Sequence, residues 1–193
     1  MKTTQVSQDE MDRRTARFKE LKPYKQTQNN AQGIPPEAME MVSAKNVFPV
    51  MSPDGWSGRN AIAPVKGAPG ITISLAECPP GNSPGLHAHE TTVENFFCVR
   101  GCFKISWGDE GEHSTILEPM DFVSVPPGVL RNFTNISDEM GYLFVVIQTA
   151  PGEESDRVAF APTVGAEIAA KFGADTLAQM GAIGFNFDAE SDS

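Results

Sequence analysis

Apolar and polar residues alternate through the middle of the chain, and that alternation predicts strands. Ile71-Thr-Ile-Ser-Leu-Ala-Glu77 and Cys102-Phe-Lys-Ile-Ser-Trp107 have the period of two expected of half-buried strands. Val93 to Val99 reads as a buried strand and Phe122 to Pro126 as the next, with Thr115 to Leu117 between them. Leu130 to Thr134 and Gly141 to Thr149 complete the series. The breaks carry turn chemistry: Gly108-Asp-Glu-Gly-Glu112 is an exposed acidic turn, and Glu118-Pro-Met-Asp121 is a second turn. Short strands with closely spaced turns predict an all-β sandwich or barrel. No internal repeat appears, so a single unit is expected.

The flanks follow other patterns. Residues 8–22 predict a polar helix that Pro23 ends, and Pro35 to Val42 a short helix opened by proline. Residues 24–34 are rich in Gln and Asn and read as a loop or arm. Residues 45–70, with four prolines and several glycines, predict irregular chain wrapping the barrel, with short strands such as Ile62 to Val65. After Pro151, Thr163 to Phe172 and Asp175 to Met180 predict two short helices separated by Gly173, before an acidic tail. The expected organisation is therefore an N-terminal extension over 1–70, a barrel over 71–150 and a helical C-terminal segment over 151–193. Phe96, Phe122, Phe133 and Phe144 are expected in the core or on a pocket floor, and Trp107 at an edge.

Composition narrows the function. The 193 residues carry 15 basic and 25 acidic side chains, a net charge of −10. Such a surface repels nucleic acid and anionic membrane. The longest purely apolar run is short, Tyr142 to Ile147, and predicts no transmembrane span. The first residues lack the apolar stretch of a secretory signal, and Cys78, Cys98 and Cys102 form no disulfide framework. A reducing cytoplasm is the expected compartment.

Candidate chemistry concentrates between Gly81 and Gly101. His87 and His89 alternate on a strand and aim two imidazoles at one point. Glu94, past the next turn, can return a carboxylate to it. Two histidines and a carboxylate form the facial set of a non-heme iron site, and also suit manganese, zinc or nickel. His113 falls in the acidic turn and reads as solvated. Cys98 shares the face of Glu94 and reads as a buried thiol. The letters Gly81-Asn-Ser83-Pro-Gly85 match a nucleophile elbow, but no helix follows and the match is rejected.

The spacing Gly81, His87, His89, Glu94, Gly101 resembles the first motif of the cupin superfamily. A second motif follows at Pro126, Gly128 and Asn135, with two departures. Met120 stands where that motif has glycine, and Arg131 where it has its last histidine ligand. The resemblance implies a double-stranded β-helix (jelly-roll) barrel with short helical extensions, a metal site in its mouth and a homodimer. It does not fix one reaction.

Arg131 leaves two readings open, because a guanidinium stays protonated and cannot ligate. In one, His87, His89 and Glu94 hold a divalent metal, Fe(II) favoured, and Arg131 clamps an anionic substrate. A divalent ion and a guanidinium ~6 Å apart repel by roughly 5 kcal/mol at an effective dielectric near 20, which a bound anion would relieve. In the other, Arg131 pairs with Glu94 and the barrel is metal-free. The expected function is a metal-dependent, dioxygenase-like oxidoreductase on a small organic acid. A non-catalytic binder with Arg131 as anion hook, or a lyase or isomerase, are the alternatives.

Overall fold

The computed structural model of the protein describes residues 1–25, 33–56, 58–150 and 156–189. Its body is two β-sheets. One runs β2-β1-β3-β10-β5-β8 and the other β11-β4-β9-β6-β7. In chain order the strands are β1 (Asn46–Pro53), β2 (Val65–Gly67), β3 (Ile71–Cys78), β4 (His87–His89), β5 (Val93–Arg100), β6 (Phe103–Trp107), β7 (His113–Leu117), β8 (Phe122–Val125), β9 (Arg131–Asn135), β10 (Gly141–Gln148) and β11 (Val158–Phe160). Pairing between the strands is antiparallel except for β1 with β2. Helices among the described residues flank the barrel: α1 (Gln8–Arg13), α2 (Pro36–Glu40), α3 (Pro162–Phe172), α4 (Ala174–Ala182) and two 3-10 turns. This is an all-β jelly roll.

The core lies between the sheets. Ala76, Cys78, Phe96, Cys98, Leu143 and Val145 from one sheet meet Phe103, Ile105, Leu117 and Phe133 from the other. In β3 the small and polar residues point inward: Thr72, Ser74, Ala76 and Cys78 are buried, while Ile71, Ile73 and Leu75 are half-buried on the outer face. That choice leaves room between the sheets, because Thr, Ser and Ala fill less space than Ile and Leu. A second core packs α2, α3 and α4 on the five-stranded sheet, around Met39, Leu130, Phe160, Ile168, Met180 and Phe185. Gly85 permits this approach, since a Cβ there would lie 2.5 Å from the Val164 side chain of α3.

Several expectations are corrected. The helix over 8–22 stops at Arg13; Thr15 turns its hydroxyl back onto the Met11 carbonyl at 2.9 Å. Phe18 instead stacks edge-on against Phe48 and Tyr142, covering part of the outer sheet face. Residues 45–70 are not simply irregular: β1 is an eight-residue strand, and of the strand expected over Ile62 to Val65, Ile62 ends the 3-10 turn Arg59–Ile62 while β2 starts only at Val65. Phe122 is 59% exposed and Phe144 is half-buried, because the register that turns Phe96, Leu143 and Val145 inward turns these two outward. The Gln- and Asn-rich arm at 24–34 falls largely outside the described residues.

Met120 shows how the turn before β8 tolerates its departure from glycine. It keeps a left-handed backbone, φ 81°, and is the one non-glycine residue with positive φ among the described residues. Asp121 N donates to Glu118 O at 3.0 Å, closing a turn with Pro119 and Met120 at its centre. That conformation costs an L-residue roughly 1–2 kcal/mol, and a glycine would return roughly 0.5–1 of it as unfolded-chain entropy. Met120 is 74% exposed, so its replacement removes little packing. Met120→Gly is expected to raise stability in urea denaturation by about 0.5–1 kcal/mol; unchanged or lower stability would show that the side chain has a packing role.

Candidate metal centre

His87 and His89 come from β4 in one sheet and Glu94 from β5 in the other, so the site bridges the two inner faces. β4 buries His87 and His89 and turns Ala88 to the opposite face, against the helical core. One ligand atom from each of His87, His89 and Glu94 lies within 4.8 Å of the others, and all three residues are buried. They line a cavity of about 450 Å³ between the sheets. Phe96 and Phe133 are on its wall with Val145 and Ile147, as are the inward Thr72 and Ser74 of β3.

The outer nitrogens of both rings are occupied. His87 Nδ1 is 2.9 Å from the Gly85 carbonyl, an acceptor only, so it carries the proton. His89 Nδ1 is 2.5 Å from Asp156 Oδ2 and 3.0 Å from Thr92 Oγ1. A carbonyl or carboxylate behind Nδ1 fixes the tautomer that leaves Nε2 with a free lone pair. His89 Nε2 is then 3.7 Å from Glu94 Oε2.

Asp156 is a site residue that the sequence reading missed. It accepts from Thr91 N at 3.0 Å, Thr91 Oγ1 at 3.2 Å and Thr92 Oγ1 at 2.8 Å, besides His89. Burial pushes its pKa up, but the bonds from His89 and the threonines outweigh burial and hold it well below the usual range. The only sequence signal was an acidic run, Glu153-Glu154-Ser155-Asp156, far along the chain.

Arg131 sits across from His87 in the β4–β9 register and is 1% exposed. Its Nε and Nη2 donate to Glu94 Oε2 at 3.1 and 2.7 Å. Its Nη1 donates to the carbonyl oxygens of His87 at 3.1 Å and Val129 at 3.5 Å. Of the two arrangements the sequence leaves open, this geometry is internal pairing with Glu94. A substrate clamp would require the guanidinium to leave those partners. Both bonds end on one oxygen, Oε2, so Oε1 keeps its lone pairs.

The donor set is in the state a cation needs. Burial and then the Arg131 charge press His87 down to about 3, so its imidazole is neutral at pH 7. Burial alone would raise Glu94, but the guanidinium and the neighbouring histidines bring its pKa below the ordinary value, so it is ionised. The residues fit a divalent metal with two imidazoles and one carboxylate oxygen.

Cys98 and His113 take the roles expected of them. Cys98 is fully buried, and burial pushes its thiol up to about 11. His113 is exposed at the start of β7, beside the ring of Trp107.

A pH dependence follows from His87. Its pKa is depressed from 6.5 to about 3 on folding, so between those values the unfolded chain binds more protons and stability falls as pH drops. Carboxylates add to that loss only nearer their own range. Metal-free protein should therefore lose stability, and denature at lower urea concentration, as pH falls from about 6.5 to 5. His87→Gln should flatten this part of the profile; an unaltered slope in the variant would contradict neutral burial of His87.

Residues 74–147 match the family described as Cupin domain. No curated protein matches the chain. Among solved structures, the cupin domain of Cnp3 from Schizosaccharomyces pombe is 18% identical, with a TM-score of 0.41 over 44% of this chain and 60% of that one. A sugar phosphate isomerase of the cupin superfamily from Silicibacter pomeroyi is 19% identical, with a TM-score of 0.41 over 49% and 59%. A Cupin 2 conserved barrel domain protein from Salinispora arenicola is 19% identical, with a TM-score of 0.42 over 54% and 76%. The chain thus spans less than two thirds of the length of the first two. The jelly roll, the His-x-His pair with Glu94, and the match over 74–147 together place a domain of the cupin superfamily in this chain.

Proposed function

We propose that His87, His89 and Glu94 hold one divalent metal ion, and that the protein is a metal-dependent cupin enzyme acting on a small organic acid. The observation that carries this reading is the occupied Nδ1 atom of each histidine. Gly85 O and Asp156 fix both rings so that Nε2 is available beside a charged carboxylate. A solvated or purely structural histidine pair has no need of this matched orientation.

Two imidazoles and one carboxylate favour Fe(II), with manganese, zinc or nickel as other occupants. When bound, the ion would supply Lewis acidity and, if iron, oxygen activation, which makes an oxygenase-type reaction the preferred class over a lyase or isomerase. Asp156 orients His89 and Gly85 orients His87. Arg131 is assigned as a positioning residue that keeps Glu94 ionised and turns Oε1 from the guanidinium. The apolar wall of Phe96, Phe133, Val145 and Ile147 excludes water from an organic substrate. Formal charge supports an acid: Glu94 and Asp156 offset Arg131 and one charge of a divalent ion, leaving a single positive charge in the site.

A second reading is a metal-free small-molecule binder, favoured by the two bonds from Arg131 to Glu94. Elemental analysis of protein purified without chelator separates the two. The enzyme reading predicts close to one metal per chain, lost in His87→Ala/His89→Ala. Asp156→Asn should weaken metal affinity by roughly ten- to a hundredfold while leaving the fold intact. Metal-free wild type that stays empty after incubation with Fe(II), manganese and zinc would favour the binder.

A further inference from the structure

We propose that Arg59 is the anion hook of this cavity, and that the substrate is an organic acid with an apolar body whose carboxylate it receives. The inference rests on the cavity being the substrate site, as the proposed function has it. Arg59 opens the 3-10 turn Arg59–Ile62 and lines the same cavity as His87, His89 and Glu94. Its guanidinium carbon lies 4.3 Å from the ring centroid of Phe185 and 5.7 Å from that of Tyr24.

Stacking holds a guanidinium by its faces and leaves its N–H edges to bond elsewhere. Among the described residues, no hydrogen bond or ion pair occupies those edges. The other arginines near the site differ. Arg157 also lines the cavity, but its Nη2 bonds both carboxylate oxygens of Asp188 at 2.6 Å. Arg131 is committed to Glu94 and two backbone carbonyls. In a chain with 25 acidic residues, an arginine on a cavity wall without a carboxylate leaves its N–H donors open to a ligand's carboxylate.

Aromatic contacts connect this arginine to the candidate metal centre. Phe185 lies 6.1 Å from Phe160 by ring centroids, and Phe160 lies 5.2 Å from the His87 ring. Phe185 lies behind the wall, and the cavity itself offers the Arg59 guanidinium at one place, ring surface from Tyr24, Phe160, Phe96 and Phe133, and the His87–His89–Glu94 cluster at another. An aryl or branched-alkyl acid suits that sequence of environments: its carboxylate on Arg59, its body on the rings, its reacting end toward the cluster.

The test uses two probes of the same shape, benzoate and benzamide, which differ in charge. Isothermal titration should show wild type binding benzoate roughly ten- to a hundredfold more tightly than benzamide. Arg59→Gln, which keeps much of the side chain's length, should abolish that preference at unchanged metal content. Arg59→Lys should keep part of it. No preference in wild type, or a full preference retained in Arg59→Gln, overturns the proposal. The metal reading is scored separately, by elemental analysis and by the His87→Ala/His89→Ala variant. If that variant still prefers benzoate, and adding Arg59→Gln removes the preference, Arg59 is the hook whether or not a metal is bound. If the histidine variant alone loses the preference while Arg59→Gln does not, benzoate is held at the histidine cluster and Arg59 has no part in it.

Discussion

The site depends on one buried charge. Arg131 is nearly inaccessible to water and cannot shed its proton. An uncompensated charge in such a place is destabilising by roughly 3–5 kcal/mol, so the barrel must supply an anion. Glu94 is that anion. The pair ties β9 of one sheet to β5 of the other and keeps Glu94 ionised despite burial. The same charge, after burial, presses His87 toward the neutral form. An arginine in place of the motif's last histidine thus leaves a neutral imidazole at His87 and, at Glu94, a carboxylate with one oxygen bonded and one free.

Around that pair the structure is organised to orient rather than to fill. The small inward residues of β3 leave a cavity where larger side chains would have closed the sandwich. Asp156 reaches His89 from beyond β10, and its threonine bonds fasten the turn between β4 and β5. The helical core on the outside of the five-stranded sheet brings Phe160 to the cavity wall and Phe185 against Arg59. Through them Arg59 acquires a fixed place near chemistry that its own segment does not contain.

Local patterns made the strands from Ile71 to Gln148 legible, since period two survives in a single sequence. His87, His89 and Glu94 were legible because their spacing is local. The residues that were missed depend on distant contacts or on a local rule overridden. β1 was hidden by Pro49 and Pro53, which argue against a strand; the sheet accommodates Pro49 with a register shift between Pro49 and Met51. The phase of Phe122 and Phe144 could not be read, because apolar residues occupy both faces of β8 and β10. Asp156 lies 67 residues from His89, and nothing in its neighbourhood signals the contact. Arg59 carries no signal in its own segment, because Tyr24 and Phe185, the rings it stacks on, come from distant parts of the chain. Arg131 was found by its departure from a motif, but its partner could be chosen only from geometry.

The central claim is that Arg131 and a metal share Glu94, one on each oxygen. Anomalous diffraction at the zinc edge, from crystals of wild-type protein grown with zinc, tests it directly. The account predicts one peak at ~2.0–2.2 Å from His87 Nε2, His89 Nε2 and Glu94 Oε1, with Arg131 still bonded to Oε2. Absence of that peak in wild type, together with its appearance in Arg131→Ala, would show that the guanidinium excludes the metal and would contradict the account.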